Sequence, residues 1–110
     1  MITLNRVTLM GGVTRDLDMR YTSQGTAWGN SSLAIRRFDK GPERDENQHQ
    51  TDYVEIKFWG PVTEQAERLF RKGRNVYVEG HLKAEHWDDK QTGEKRHKLV
   101  VVADDVGELE

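Results

Sequence analysis

Apolar and polar residues alternate with a period of two along most of the chain, and this pattern predicts a mainly β chain. Glycine-containing turns break the alternation, and one segment has helical period instead. A first strand is expected over 4–13, then a turn rich in Thr, Arg and Asp and a short extended piece over 19–21. Ser23, Gln24 and Gly25 turn the chain into a second strand over 26–38. Residues 39–51, DKGPERDENQHQT, contain no apolar anchor and read as a mobile hydrophilic loop. The third strand, TDYVEIKFW, runs into Gly60, and Pro61 opens a helix at the position where its missing N–H costs nothing. Val62, Ala66, Leu69 and Phe70 fall on one side of that helix, and Gly73 closes it. A fourth strand over 74–87 turns through DDKQTGE into a fifth over 95–103, whose LVVVA run predicts burial on both faces. Val106 and Leu109 end the chain, and neither an internal repeat nor a linker interrupts it.

Five strands with one helix between the third and the fourth is the element order of the OB-fold, a partly open Greek-key barrel. The expected architecture is one OB-fold domain over 1–110. That length should bury roughly two-thirds of the unfolded surface without disulfides or metals. With 35% hydrophobic and 33% charged residues, the core must be thin and the surface densely charged, as in a small barrel. The chain has no cysteine, which excludes disulfides, thiolate metal sites and a cysteine nucleophile and fits a reducing, cytoplasmic setting. No export signal or membrane segment is read, since the longest apolar run is Leu99–Ala103. A formal net charge of -2 argues against gripping nucleic acid by bulk charge, so any such contact needs a local basic face.

Strand parity then sorts the side chains. In the third strand Val54, Ile56 and Phe58 share one face, while Tyr53, Glu55, Lys57 and Trp59 share the other. The fourth strand places Val76, Val78 and Leu82 inward and Tyr77, His81, Lys83 and Trp87 outward. In the second, Leu33 and Ile35 point in, and Trp28, Arg36 and Phe38 point out. All three tryptophans therefore fall on polar faces. Flat rings on a solvated sheet suit nucleobases, because stacking is worth roughly 1–3 kcal/mol per base whatever the sequence. The interleaved Arg36, Arg37, Lys57 and Lys83 suit phosphates. The competing use of such rings is to cover a subunit interface or a loop.

Several segments resemble the bacterial single-stranded DNA-binding protein family in order and spacing over nearly the whole chain. They are NRVTLMGGVTRDLDMRYT, SLAIRRF, TDYVEIKFWG, LFRKGRNVYVEGHL and HWDDKQTGE. Most specific are the stretch from Gly12 to Thr22 with Asp16, Arg20 and Tyr21, the block from Thr51 to Gly60, and RKGRNVYVEG. The resemblance implies base-stacking rings at Phe38, Tyr53, Trp59 and Trp87, with Trp28 as an additional ring where the family usually has a smaller residue. Arg71 and Lys72 of the RKG segment join the expected nucleic-acid-binding set. It also implies a non-catalytic protein that coats single-stranded DNA in replication, recombination and repair, a homo-oligomer with a tetramer favoured, and no cofactor. The first strand and the sheet face away from the DNA would build the subunit interfaces.

The chain departs from the family pattern in ways that matter. Pro61 stands where Lys is common, Glu85 and His86 precede the hairpin Trp87, Glu55 lies on the stacking face, and Ser31 occupies a usual apolar core position. The lost positive charge predicts weaker or more salt-sensitive binding than in a basic member. The sequence ends at VGELE without the flexible linker and acidic, Phe-ended tip that recruits partners in the family, so the resemblance is to a tail-less or truncated member.

An enzyme reading would rest on His49, His81, His86 and His97 or on Asp88 and Asp89. His81 and His86 face opposite sides of one strand, and no three-ligand set emerges, so no metal site is expected. No phosphate-binding glycine loop or nucleophile elbow is present. The remaining rival is an OB module of a replication or primosome complex that spends its aromatics on a protein partner. A duplex reader is disfavoured because no helix offers a base-reading surface.

Overall fold

The computed structural model describes residues 1–37 and 50–109. Its elements are β1 (Val7–Val13), β2 (Asp18–Tyr21), β3 (Ala27–Arg37), β4 (Gln50–Trp59), α1 (Pro61–Leu69), β5 (Asn75–Asp88) and β6 (Lys95–Glu108). The strands form one sheet in the order β1-β5-β6-β4-β3-β2, and an additional β1–β3 pairing closes it. Closure falls to β1 because it changes partner along its length. Val7 to Gly12 pair with β5, and then Gly12 and Val13 pair with Ala34 and Leu33 of β3. Gly11 sits at the crossing, where a Cβ would lie 2.6 Å from the Ala34 carbonyl oxygen; a strand carrying a side chain there could not approach β3 closely enough. The five long strands with a helix between β4 and β5 are the predicted mainly β OB barrel, and β2 is the predicted short piece, paired to β3.

The inward residues are those that parity selects. Leu33, Ile56, Val76 and Val78 are fully buried, and Phe58, Val101, Ala103 and Val106 nearly so. Helix α1 plugs one end of the barrel with Thr63, Ala66 and Phe70, all fully buried. The Phe70 ring meets Phe58 edge-on at 4.9 Å, one of the favoured aromatic geometries. The helix is shorter than Gly73 implied. It ends at Leu69 because the Phe70 carbonyl accepts the Leu17 N–H at 2.9 Å and so ties the turn to the β1–β2 connection.

Three other differences have local causes. The first strand starts at Val7 rather than residue 4, and Asn5 stands in for a strand residue with its side chain. Its amide donates to the Leu82 carbonyl at 2.7 Å, and its Oδ1 accepts the Leu82 N–H at 2.8 Å. Gln50 and Thr51 belong to β4, paired with Arg37 and Arg36, rather than to the loop; Phe38 and 39–49 lie outside the described residues. The last strand runs on to Glu108 instead of stopping at Ala103, because of a bulge. Glu79 pairs with Asp105 and Gly80 with Ala103, which leaves Asp104 unpaired. That extra residue shifts parity, so odd-numbered Val101 and Ala103 and even-numbered Val106 all reach the core. Val100 and Val101 are buried on opposite faces as predicted, whereas Leu99 is 64% exposed and Leu82 is also exposed.

Candidate nucleic-acid interface

Antiparallel pairing of β3 with β4 sets out the outer face as a ladder. Trp28 lies opposite Trp59, Asn30 opposite Lys57, Ser32 opposite Glu55, Ala34 opposite Tyr53 and Arg36 opposite Thr51. Directly opposed residues on one face are near neighbours, so the two tryptophans form the head of the ladder. Tyr53 is 72%, Trp59 61% and Trp87 46% exposed. Rings left this open on a sheet are available to a flat ligand rather than committed to the core.

Beside that ladder a cleft of about 260 Å³ is lined by Trp28, Asn30, Lys57, Trp59, Lys83 and Glu85, among others. Four of the predicted residues, Trp28, Lys57, Trp59 and Lys83, are thus brought to one concavity from three strands. Arg15 extends its edge by donating to Asn30 Oδ1 at 3.1 Å. Trp87 stands further along the hairpin, opposite Arg96. Lys98 links it to β4, with its Nζ 5.7 Å from the Trp87 ring centroid and 2.8 Å from Glu55 Oε2. The hydrogen bond to Glu55 is the main cause that raises the Lys98 pKa above the usual ammonium value; desolvation opposes it, and the negative charges of Glu55 and Glu85 add to the rise, so this cation stays charged well above neutral pH. Lys57 is likewise paired, 3.1 Å from Glu85. Among the described residues no carboxylate pairs with Lys83 or Arg36.

Other predicted residues stand apart. Arg37 points to the opposite side from Arg36, where it hydrogen-bonds Gln50 and lies 3.8 Å from Asp52. Arg71 and Lys72 follow the helix and hold Asp16, through the Arg71 guanidinium at 3.7 Å and the Lys72 N–H at 2.8 Å; neither lines the tryptophan cleft. Phe38 lies outside the described residues. The residues missed were Lys98 and Arg15. Lys98 was within reach of the sequence, because counting back from the DDKQTGE turn places it opposite Glu85, two residues before Trp87. The Arg15 contact depends on the path of the β1–β2 connection and has no such signal.

Of the histidines, His81 Nδ1 lies 3.0 Å from Asp104 Oδ2 at the bulge, and His86 and His97 face each other at 6.1 Å. Among the described residues no group of His, Asp or Glu is arranged to hold a metal ion, and no helix is long and apolar enough to cross a membrane.

Residues 4–109 match the model of the single-strand binding protein family. The chain is 33% identical over 103 residues to single-stranded DNA-binding protein 1 of Chlorobaculum tepidum, a match covering 94% of this chain and 63% of that protein. It is 36% identical over 109 residues to the single-stranded DNA-binding protein of Wolinella succinogenes, covering 96% and 64%. For the Thermus thermophilus protein the identity is 39% over 100 residues, covering 91% and 35%. The chain therefore spans less than two thirds of the length of these relatives. The structure of Plasmodium falciparum SSB in complex with ssDNA superposes with a TM-score of 0.87 at 23% identity, over 100% of this chain and 98% of that one, which establishes the shared fold. The family match over nearly the full length, on a barrel whose outer face carries the expected rings, places this chain in the single-strand binding protein family.

Proposed function

We propose that residues 1–110 form one domain that coats single-stranded DNA with little sequence preference, without catalysis or a cofactor. The observation that carries this reading is the outer face itself, where Trp28, Tyr53, Trp59 and Trp87 share one surface with Lys57, Lys83 and Arg36. Bases stack on the rings, and Lys57, Lys83, Lys98 and Arg36 meet phosphates; Phe38 joins the stacking set by motif. Arg37, Arg71 and Lys72 lie off this face and serve only a strand that wraps beyond it. Family membership and the names of the relatives support single-stranded DNA as the ligand; replication, recombination and repair in the nucleoid are the setting that the resemblance implies.

A homo-oligomer, with a tetramer favoured, belongs to the same proposal. It is supported by the outer edge of β1, which has no strand partner from Val7 to Gly11 among the described residues.

The test is a tryptophan fluorescence titration with oligo-dT, beside a duplex control. The expected result is strong quenching by the single strand alone, lost in the Trp59→Ala, Trp87→Ala double variant. Absence of quenching at low salt would overturn the proposal and reassign these rings to a protein partner.

A further inference from the structure

On the proposed DNA face two of the cations, Lys57 and Lys98, are already paired with carboxylates of the same face. Glu55 sits between Tyr53 and Lys57 on β4, and Glu85 between Lys83 and Trp87 on β5. Glu55 holds Lys98 at 2.8 Å, and Glu85 holds Lys57 at 3.1 Å. The four groups form a charge-alternating network beside the tryptophan cleft, which Lys57 and Glu85 themselves line. Each carboxylate side chain is about a quarter exposed, so it is within reach of a strand lying on the rings.

Resting on the reading above, we infer that Glu55 and Glu85 are built-in competitors of the phosphate backbone, which set the affinity and the salt dependence of single-strand binding. A strand that settles on the rings can recruit Lys57 and Lys98 only by displacing the carboxylates that hold them. Where a pair stays closed it presents no net charge to the phosphate and releases no counterion from the DNA. Salt dependence on a single strand changes by about 0.7 in logarithmic slope for each phosphate neutralised. The unmodified chain therefore binds weakly but with a shallow salt slope, since only cations with no carboxylate partner among the described residues, such as Lys83 and Arg36, are counted. That keeps the weaker binding expected from the sequence and reverses the expected salt sensitivity, since fewer phosphate contacts give a shallower slope.

The experiment compares the unmodified chain with Glu55→Gln, Glu85→Gln and the double variant in oligo-dT titrations across a salt series. Glu67→Gln on α1 serves as the control for net charge. Surface pairs of this kind contribute little to folding, so thermal unfolding should be nearly unchanged. Each substitution is expected to tighten binding about three-fold at moderate salt, the scale of one exposed ion pair. The double variant should also steepen the salt slope by about 1.4, two freed cations at the single-strand value. If the unmodified chain binds and the variants match it in affinity and slope, or if Glu67→Gln gives the same gain, the inference is overturned while the binding proposal stands. Weaker binding in the variants also overturns it, because the network would then serve to anchor the Trp87 hairpin. If neither the unmodified chain nor the variants bind, both readings fall; binding by the variants alone supports the inference.

Discussion

Ser31 shows how a single side chain can break the apolar pattern and still belong to the core. It is fully buried on the inner face of β3, where period-two reasoning expects an aliphatic residue. Its hydroxyl donates to the Arg15 carbonyl at 2.8 Å, which satisfies both groups and fastens the β1–β2 connection against β3. Ser31→Ala leaves that carbonyl without this donor and should cost about 1–2 kcal/mol, the usual range for a lost buried hydrogen bond. Urea unfolding would show it as a lower midpoint at constant slope. At this scale the sequence was most legible where parity alone decides, as for Tyr53, Trp59 and Ile56. It was least legible where a side chain replaces a backbone partner. Asn5 occupies a strand position with its amide, and nothing in the pattern MITLNRV distinguishes it from a polar residue in a β alternation.

Among the elements, α1 and the β5–β6 hairpin account for what was read correctly and what was not. The helix was announced by Pro61 and by apolar spacing, and its buried residues include Ala66 and Phe70 of that stripe. Phe70 makes it a plug, so Phe70→Ala should destabilise by about 3–5 kcal/mol, the range for emptying a buried aromatic site. Calorimetry would detect this as a large drop in Tm, while a variant within about 1 kcal/mol of the unmodified chain would mean that the barrel end collapses around the void. The end of β6 was misread because Asp104 and Asp105 interrupt an apolar run and look like a strand stop. The backbone accommodates one of them as a bulge, and this is possible because Gly80 faces it. A Cβ at Gly80 would lie 2.0 Å from the Val102 carbonyl oxygen. Gly80→Val should therefore disrupt the β5–β6 register, with β-sheet circular dichroism reduced or expression lost; retention of the native Tm would refute this account of the bulge. The extra residue lies in β6, so the parity of β5 runs unbroken and Lys83 and Trp87 lie on the outer face that the sequence predicts.

At the scale of the whole molecule, the barrel presents two surfaces of opposite character. The cleft side carries the rings and the paired charges, and the other side centres on β1. There Met10 is 64% exposed and sits opposite Tyr77, whose ring in turn lies over Gly107. An apolar patch beside an unpaired strand edge is a template for pairing with another strand. In the proposed oligomer a second copy of β1 would let both edges be satisfied by one two-fold axis. Light scattering should give a mass well above that of a single chain for the unmodified protein. Met10→Glu places like charges across such an axis and should lower the mass toward the monomer without changing circular dichroism. Met10 lies outside the tryptophan cleft and shares a surface depression only with Arg36 of the proposed phosphate contacts, so each chain of the variant should still quench with a short oligo-dT, its affinity lowered at most by the share that Arg36 contributes. Affinity for a long strand should fall, since linked domains bind a shared strand with a raised effective concentration. A monomeric unmodified chain would remove the oligomer from the proposal and leave the binding face untouched. An oligomer that survives Met10→Glu would move the interface to another surface, with the exposed Leu82 and Leu99 of the hairpin the next residues to test.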